Sequence, residues 1–342
     1  MRRLFGMPTS GKPGSRAAVG AAVAALAIGT AVAVMPSASA EPAPEPAAAG
    51  FAPYTDMSNS NENLLDTAIT EHGVKSFTAA FVLGSGCNQI WGDTLPVGDD
   101  SNTDPLIEKA QSEGASVIIS SGGAAGLPLA WTCTDQGAIE AGYQKIIDSY
   151  GVNSLDFDIE GGAIADTAAA TRNMQAMKNL KAANPDLTFS VTLPVLPDGL
   201  TADGVNIIKA AKDAGVKIDV VNIMTMDYYQ GDQDMGKAAI AAAQATLGQM
   251  QSVDSSYGYA NLGITPMIGV NDDNSVFSLD NASSVASWAA SNGVGRLAFW
   301  SANRDTSCAS AARQGVKKPD ASSTCSGVDQ GQLAFTDAFN GA

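Results

Sequence analysis

From residue 51 onward the chain alternates between two hydrophobic periods. Short runs rich in β-branched and aromatic residues recur near 51–55, 76–83, 115–121, 154–160, 187–193, 218–226, 260–268 and 295–301. Between them apolar residues fall at helical spacing, near 61–73, 104–113, 135–150, 165–183, 202–215, 233–250 and 280–292, with a last such stretch near 329–340. Thr134-Asp135 and Asp198 supply start signals for the third and fifth of these helices, and Gly151, Asn184-Pro185 and Gly215 fall where the third, fourth and fifth should stop. Eight strands, each followed by a helix, predict an α/β fold made of a single (β/α)8 TIM barrel. An open doubly wound sheet competes with this architecture, but no Gly-x-Gly-x-x-Gly follows the first strand to support it. Barrel active sites lie at the C-terminal ends of the strands, so those ends are where chemistry is expected.

Before residue 51 the pattern differs. Arg2, Arg3, Lys12 and Arg16 precede an uncharged Ala/Val/Leu/Ile/Gly stretch at 17–34, and Ala38-Ser39-Ala40 then supplies small residues. This layout predicts a signal peptide over 1–40, cleaved after Ala40. A membrane anchor competes with it, since the stretch is near the spanning length. Its Ala/Gly-rich composition and the cleavage pattern favour export. Residues 41–50 form a Pro/Ala-rich linker stub, and 51–342 form the barrel domain. The mature protein is expected to be secreted and extracellular, monomeric, and free of the membrane.

Charge narrows the partners. Removing the four leader cations from 19 basic residues leaves 15 against 35 acidic ones, a formal charge of −20. Such a chain is expected to bind neither nucleic acid nor anionic membrane. The four cysteines, Cys87, Cys133, Cys308 and Cys325, suggest two disulfides in an exported chain. Of the three possible pairings, Cys87–Cys133 and Cys308–Cys325 are favoured, the second because it closes a short local loop. A zinc site is disfavoured: there is no Cys-x-x-Cys, and the only histidine, His72, is remote. No metal and no cofactor are expected.

The fourth predicted strand carries the densest chemistry. Asp156, Asp158 and Glu160 alternate with Leu155, Phe157 and Ile159, so the three carboxyl groups share one face and the apolar three share the other. Neighbouring carboxyls on one face lie about 7 Å apart at Cα. Like charges at that spacing raise at least one pKa. A carboxylic acid kept protonated near neutral pH can protonate a leaving-group oxygen. A Ca²⁺ or Mg²⁺ site is the competing reading of the same three acids. A merely solvated face does not suit a strand buried on both sides.

Asn153-Ser154-Leu155-Asp156-Phe157-Asp158-Ile159-Glu160 resembles the D-x-x-D-x-D-x-E signature of family 18 glycoside hydrolases, the chitinase family, with Asn153 in place of the first Asp. Ser120-Ser121-Gly122-Gly123 is similar to the family's S-x-G-G motif on the third strand. Met224-Thr225-Met226-Asp227-Tyr228 is similar to its sixth-strand motif, and Phe299-Trp300-Ser301 to its eighth-strand tryptophan. Each short motif is weak alone. Their order and their placement on successive strands make the combined match specific, and it covers most of residues 51–342.

The resemblance implies substrate-assisted, retaining hydrolysis of β-1,4-linked N-acetylglucosamine in chitin or chito-oligosaccharides. It implies that Glu160 is the general acid and base, that Asp158 holds the substrate acetamido group, and that Asp156 tunes Asp158 by sharing a proton. Asp227 would help hold the acetamido group. Many family members have Tyr where this chain has Met226, so Tyr228 is the candidate to supply that hydroxyl, with packing at the barrel rim as the alternative. Trp300 would floor the cleft, with Phe81, Met226, Gly122 and Gly123 around it. Cis peptides are implied at Ala80–Phe81 and Trp300–Ser301. Trp91 and Trp131 fall in loops tied by the Cys87–Cys133 bridge and are candidates for further sugar contacts, with loop packing as the alternative. Asp272, in Asn271-Asp272-Asp273-Asn274, is a rim residue that can face the cleft. Two other functions share these residues: an endo-β-N-acetylglucosaminidase acting on N-glycans, and a non-catalytic chitin-binding lectin. The short span from 227 to 259 leaves no obvious room for an added wall and points to an open cleft and endo-type cleavage.

Overall fold

The computed structural model describes residues 50–341 except 59–62, 93–94, 125 and 232, so the predicted signal peptide and nearly all of the linker stub lie outside the described residues. The described chain is an α/β fold around a parallel sheet of eight principal strands. The first runs in two pieces, Gly50–Phe51 and Tyr54–Asp56, and the others are Ser76–Ser85, Ser116–Gly122, Ser154–Asp158, Thr188–Leu196, Val220–Met224, Leu262–Thr265 and Arg296–Leu297. Each pairs in parallel with the next, from Tyr54–Asp56 round to Arg296–Leu297. Gly50–Phe51 then pairs with Arg296–Leu297. The first strand therefore hydrogen-bonds to both ends of the sheet and closes it. Pro53 falls between its two pieces; the Ala52 and Tyr54 amides bond to the eighth strand, while the Pro53 carbonyl accepts from Thr78.

Eight helices follow the strands in turn, at Asn63–Thr70, Thr103–Ser112, Gln136–Tyr150, Thr167–Ala183, Ala202–Ala214, Met235–Val253, Leu279–Asn292 and Ala334–Asn340. Asp135 caps the third by accepting from the Ala138 amide, and Gly151 ends it in the left-handed region at φ 61°. The fifth begins at Thr201 rather than Asp198. Gly199–Leu200 folds back on Val195–Leu196 as a short antiparallel pair, and the helix can start only after that turn. The last helix is shorter than the periodicity predicts, and a helix at Cys308–Arg313 and a long loop fill the interval before it. Two hairpins escape the pattern: Asn88–Trp91 with Leu95–Pro96 after the second strand, and Gly269–Val270 with Val276–Phe277 after the seventh.

Strand alternation sorts the side chains into two environments. Leu155, Phe157, Phe189, Val191, Val221 and Ile223 face outward beneath the helices, where Phe157 meets the edges of Tyr143 and Phe189. The interior is polar instead of the aliphatic packing common in such barrels. Tyr54, Ser120, Asp156, Asp158, Ser190, Thr192, Asn222 and Thr265 are all buried there. The sheet register pairs Ser120 with Asp156 and Asp156 with Ser190, and pairs Thr192 with both Asp158 and Asn222. Both disulfides form as expected, Cys87–Cys133 and Cys308–Cys325, with Cα–Cα distances of 4.7 and 4.9 Å. Among the described residues no helix is long and apolar enough to cross a membrane.

Candidate active site

The fourth strand sets out its acids in depth. Asp156 is fully buried and is surrounded by hydroxyls from three other strands. Tyr54 Oη and Ser120 Oγ donate to its Oδ2 at 2.9 and 2.7 Å, and Ser190 Oγ and Thr192 Oγ1 donate to its Oδ1 at 2.5 and 2.9 Å. A carboxylate offers about four lone-pair sites, so these donors fill it. Two residues on, Asp158 is nearly as deep, and its Oδ1 takes no hydrogen bond from the described residues. Glu160 lies just past the strand end, at the cleft. Burial above all, then the charges of Glu160 and Asp156, hold the Asp158 carboxyl well above the usual carboxylate range, and it shares a hydrogen bond with Glu160. Burial pushes Glu160 up to about 7, the hydrogen bond from Asp158 opposes this, and the charge of Asp227 adds to it.

The cleft above these acids opens at the C-terminal strand ends. Phe81, Trp300, Met226, Met267, Asp227 and Asp272 line it together with Asp158 and Glu160. Phe81 and Trp300 stack on one another, with centroids 5.5 Å apart and ring planes 17° apart. The peptide bonds Ala80–Phe81 and Trp300–Ser301 are both cis, as the motif resemblance implies. Asp227 adopts φ 49° and is clamped by the loop after the seventh strand. Its Oδ1 accepts from the backbone amides of Asp272 and Asp273 at 2.7 and 3.3 Å, and its own amide donates to Asn271 Oδ1 at 3.3 Å. Burial raises the Asp227 carboxyl, and the neighbouring charge of Asp272 adds to this.

A protonated acid beside a buried carboxyl partner, above an aromatic floor, is a site for proton delivery to a bound leaving group. The model of glycosyl hydrolases family 18 matches residues 51–268. The chain belongs to that family. It is 33% identical over 276 residues to a probable bifunctional chitinase/lysozyme from Escherichia coli, covering 75% of this chain and 31% of that protein. It is 33% identical over 273 residues to endochitinase 11 of Metarhizium anisopliae, covering 75% of this chain and 52% of that one. The chain thus spans about a third and about half of the length of these two relatives. Among solved structures, the catalytic domain of a hyperthermophilic chitinase from Pyrococcus furiosus is 34% identical, with a TM-score of 0.75 over 88% of this chain and 95% of that one. Catalytic-site mutants of active domain 2 of a thermostable chitinase from the same organism, complexed with chito-oligosaccharides, match at 33% identity with the same TM-score and coverage.

Within this family 18 site, some sequence-derived assignments need correction. Trp91 is a core residue: it is buried in the hairpin after the second strand, and its indole Nε1 donates to Tyr150 Oη at 2.5 Å. No face is left for a sugar. Tyr228 is also buried, in the core cluster, and its hydroxyl lies by that of Thr225 instead of lining the cleft. The exposed tyrosine at this rim is Tyr229. Trp131 is half-buried beside Gly162, in the loop leaving Glu160, and packs over Ile159 and Ala163 apart from the cleft itself. Gly122 and Gly123 are buried and shape the site through the backbone. A Cβ on Gly122 would meet the Asp158 carbonyl oxygen at 2.0 Å, and one on Gly123 would enter the Phe81 ring. Four hydroxyls occupy the oxygens of Asp156, and the carboxyl next to Asp158 on the cleft side is Glu160.

Five cleft residues were missed by the sequence reading: Tyr54, Ala124, Thr192, Thr265 and Met267. Ala124, Thr265 and Met267 sit at or just past the C-terminal end of a strand, where inspection of every strand end would have found them; Tyr54 and Thr192 lie within their strands and reach the cleft from inside the barrel. Among the described residues no cluster of three or more His, Cys, Asp or Glu side chains is placed to hold a metal ion.

Proposed function

We propose that this protein is a secreted chitinase, hydrolysing β-1,4-linked N-acetylglucosamine with retention of configuration. The observation that carries the substrate class is Asp158 Oδ1, a buried acceptor with no partner among the described residues, next to the Glu160 acid. A buried unpaired acceptor is costly, and an amide N–H is the donor that an N-acetyl sugar brings to it. A plain glucan brings none. Glu160 protonates the glycosidic oxygen, and the bond from that oxygen to C1 breaks. The acetamido carbonyl oxygen of the same sugar closes on C1, giving an oxazolinium ion. Asp158 accepts a hydrogen bond from the acetamido N–H at Oδ1 and steadies the oxazolinium ion through that bond. Water then gives a proton to the Glu160 carboxylate and adds to C1, reopening the ring with the original configuration. Trp300 and Phe81 present a flat apolar face to the sugar C–H groups, and Asp227, fixed by two backbone amides, orients the acetamido group.

The enzyme works as an extracellular monomer on accessible chains, cutting internally. Between the sixth and seventh strands the described residues form one helix, Met235–Val253, and a short turn, so among them no added domain walls the cleft there. Release of reducing sugar from colloidal chitin, run beside a high-mannose glycoprotein for wild type and Glu160→Gln, tests the reading. Chitin cleavage that falls by several orders of magnitude in the variant supports both substrate and acid. Deglycosylation without chitin cleavage moves the substrate to N-glycans. Binding without cleavage of either, in both proteins, makes it a lectin.

A further inference from the structure

Arg296 opens the eighth strand, at the end of the barrel away from the cleft. Its Nη1 donates to Ser190 Oγ at 2.7 Å, and Ser190 Oγ donates to Asp156 Oδ1 at 2.5 Å. A guanidinium has donors only, so it fixes the direction of this relay: the single Ser190 proton must point to Asp156. Asn222 acts in the same way from the sixth strand. Its Oδ1 accepts from Thr265 Oγ1 at 2.8 Å, which turns its Nδ2 toward Thr192 Oγ1 and Tyr54 Oη at 3.0 and 3.2 Å. Those two oxygens, supplied with a donor, are free to send their own protons to Asp156.

Asp156 has no ion-pair partner among the described residues. A buried carboxyl group without a nearby cation carries a large desolvation cost in its charged form. The guanidinium stands one hydroxyl away and supplies the missing charge. We propose that Arg296 is a positioning residue for the reaction: through Ser190 it keeps Asp156 a pure acceptor, so that the mobile proton of the carboxyl trio stays with Asp158 beside Glu160. Few groups compete with it. The titratable or charged groups facing Asp156 are Tyr54 from the first strand, Asp158 and Glu160 from its own strand, and Arg296 from the eighth. The other strands present neutral hydroxyls and an amide, and of the three carboxyls Asp227 acts on Glu160. Burial, with the charges of Asp156 and Asp158, raises the Tyr54 hydroxyl well above its usual value, so Tyr54 remains a donor.

The inference rests on the chitinase reading, and its test separates the two. The pH profile of kcat/KM on a soluble chito-oligosaccharide is measured for wild type, Arg296→Met and Arg296→Lys, beside a carboxyl ¹³C titration of each free protein. Loss of the positive charge disfavours every anionic state of the trio, so Arg296→Met should move both limbs of the profile, and the carboxyl titrations, up by about one pH unit. Arg296→Lys, which keeps charge and donor, should restore most of the shift. Superimposed profiles and titrations for wild type and Arg296→Met, whatever the change in Tm, would reduce Arg296 to a structural role and overturn the proposal. If Arg296→Met does not fold, Ser190→Ala cuts the relay and should shift the titrations in the same direction; an unchanged titration there overturns it equally. A wild type that cleaves no chitin sinks the functional reading and leaves the ¹³C titration to judge Arg296.

Discussion

The carboxyl groups of Asp158 and Glu160, two residues apart in sequence, stand beside each other, while Asp156 below them is taken up by four hydroxyls. Three acids at one strand end thus divide into a fixed acceptor, a proton carrier and an acid open to the cleft. The division follows from depth. Asp156 sits where three other strands bring four hydroxyls together, Asp158 where burial is strong and partners are few, and Glu160 where the sheet ends.

Glu160, pushed up to about 7 by burial, is protonated below that pH and loses its proton above it. The acid form does the first chemical step, so kcat/KM on a soluble chito-oligosaccharide should fall above about pH 7, approaching tenfold per pH unit. A profile flat to pH 9 would mean that another group delivers the proton.

The same shift has a consequence for stability. Glu160 titrates near its ordinary 4.5 in the unfolded chain and near 7 in the folded one, so the folded state holds more protons between those values. Stability contributed by this group is therefore full below about pH 4.5 and is lost as pH rises through about 7. Glu160→Gln removes the dependence. Relative to wild type, the variant should gain stability from pH 4.5 to pH 8 by up to about 3 kcal/mol. Urea denaturation at both pH values measures it, and an unchanged difference between the two proteins would show that Glu160 is not perturbed.

Trp300 packs on Phe81 at 5.5 Å and on Tyr54 at 6.3 Å, and it also lines the cleft. Trp300→Ala should lower kcat/KM on chito-oligosaccharides by about 30- to 100-fold, as expected for losing an aromatic anchor worth about 2–3 kcal/mol. Trp300→Phe should recover much of this loss. A variant with wild-type kinetics would assign the ring to the core.

Much of this was legible in the sequence, and the gaps have physical causes. The strand and helix order is visible because outward-facing residues such as Phe157 and Val191 pack against helices whose own apolar faces recur at helical spacing. The Asp156-Asp158-Glu160 alternation reads directly as one face of a strand. The partners of Asp156 do not, because Tyr54, Ser120, Ser190 and Thr192 lie 102, 36, 34 and 36 residues away and meet only through sheet register. Trp91 and Tyr228 were misread for another reason. Position near a strand end says where a side chain begins, while the hairpin at 88–96 and the turn after Asp227 decide which way it points.

The Cys87–Cys133 bridge ties the hairpin after the second strand to the segment after the third, across 46 residues of sequence, and Cys308–Cys325 closes 17. Chain-entropy reasoning gives about 4 kcal/mol for the first and about 3 kcal/mol for the second. The functional weight is unequal in a different way. The Cys87 loop borders the second strand, whose Phe81 lines the cleft, whereas Cys325 precedes Ser326, whose carbonyl holds Val270 beside the loop that clamps Asp227. Cys308→Ser/Cys325→Ser should therefore lose less stability than Cys87→Ser/Cys133→Ser yet weaken the clamp on Asp227, lowering kcat/KM at temperatures where the fold is intact. Thermal unfolding and oligosaccharide kinetics on the two double variants separate these effects. Equal kinetics in both, well below Tm, would mean that the Asp227 loop holds its shape without the C-terminal bridge.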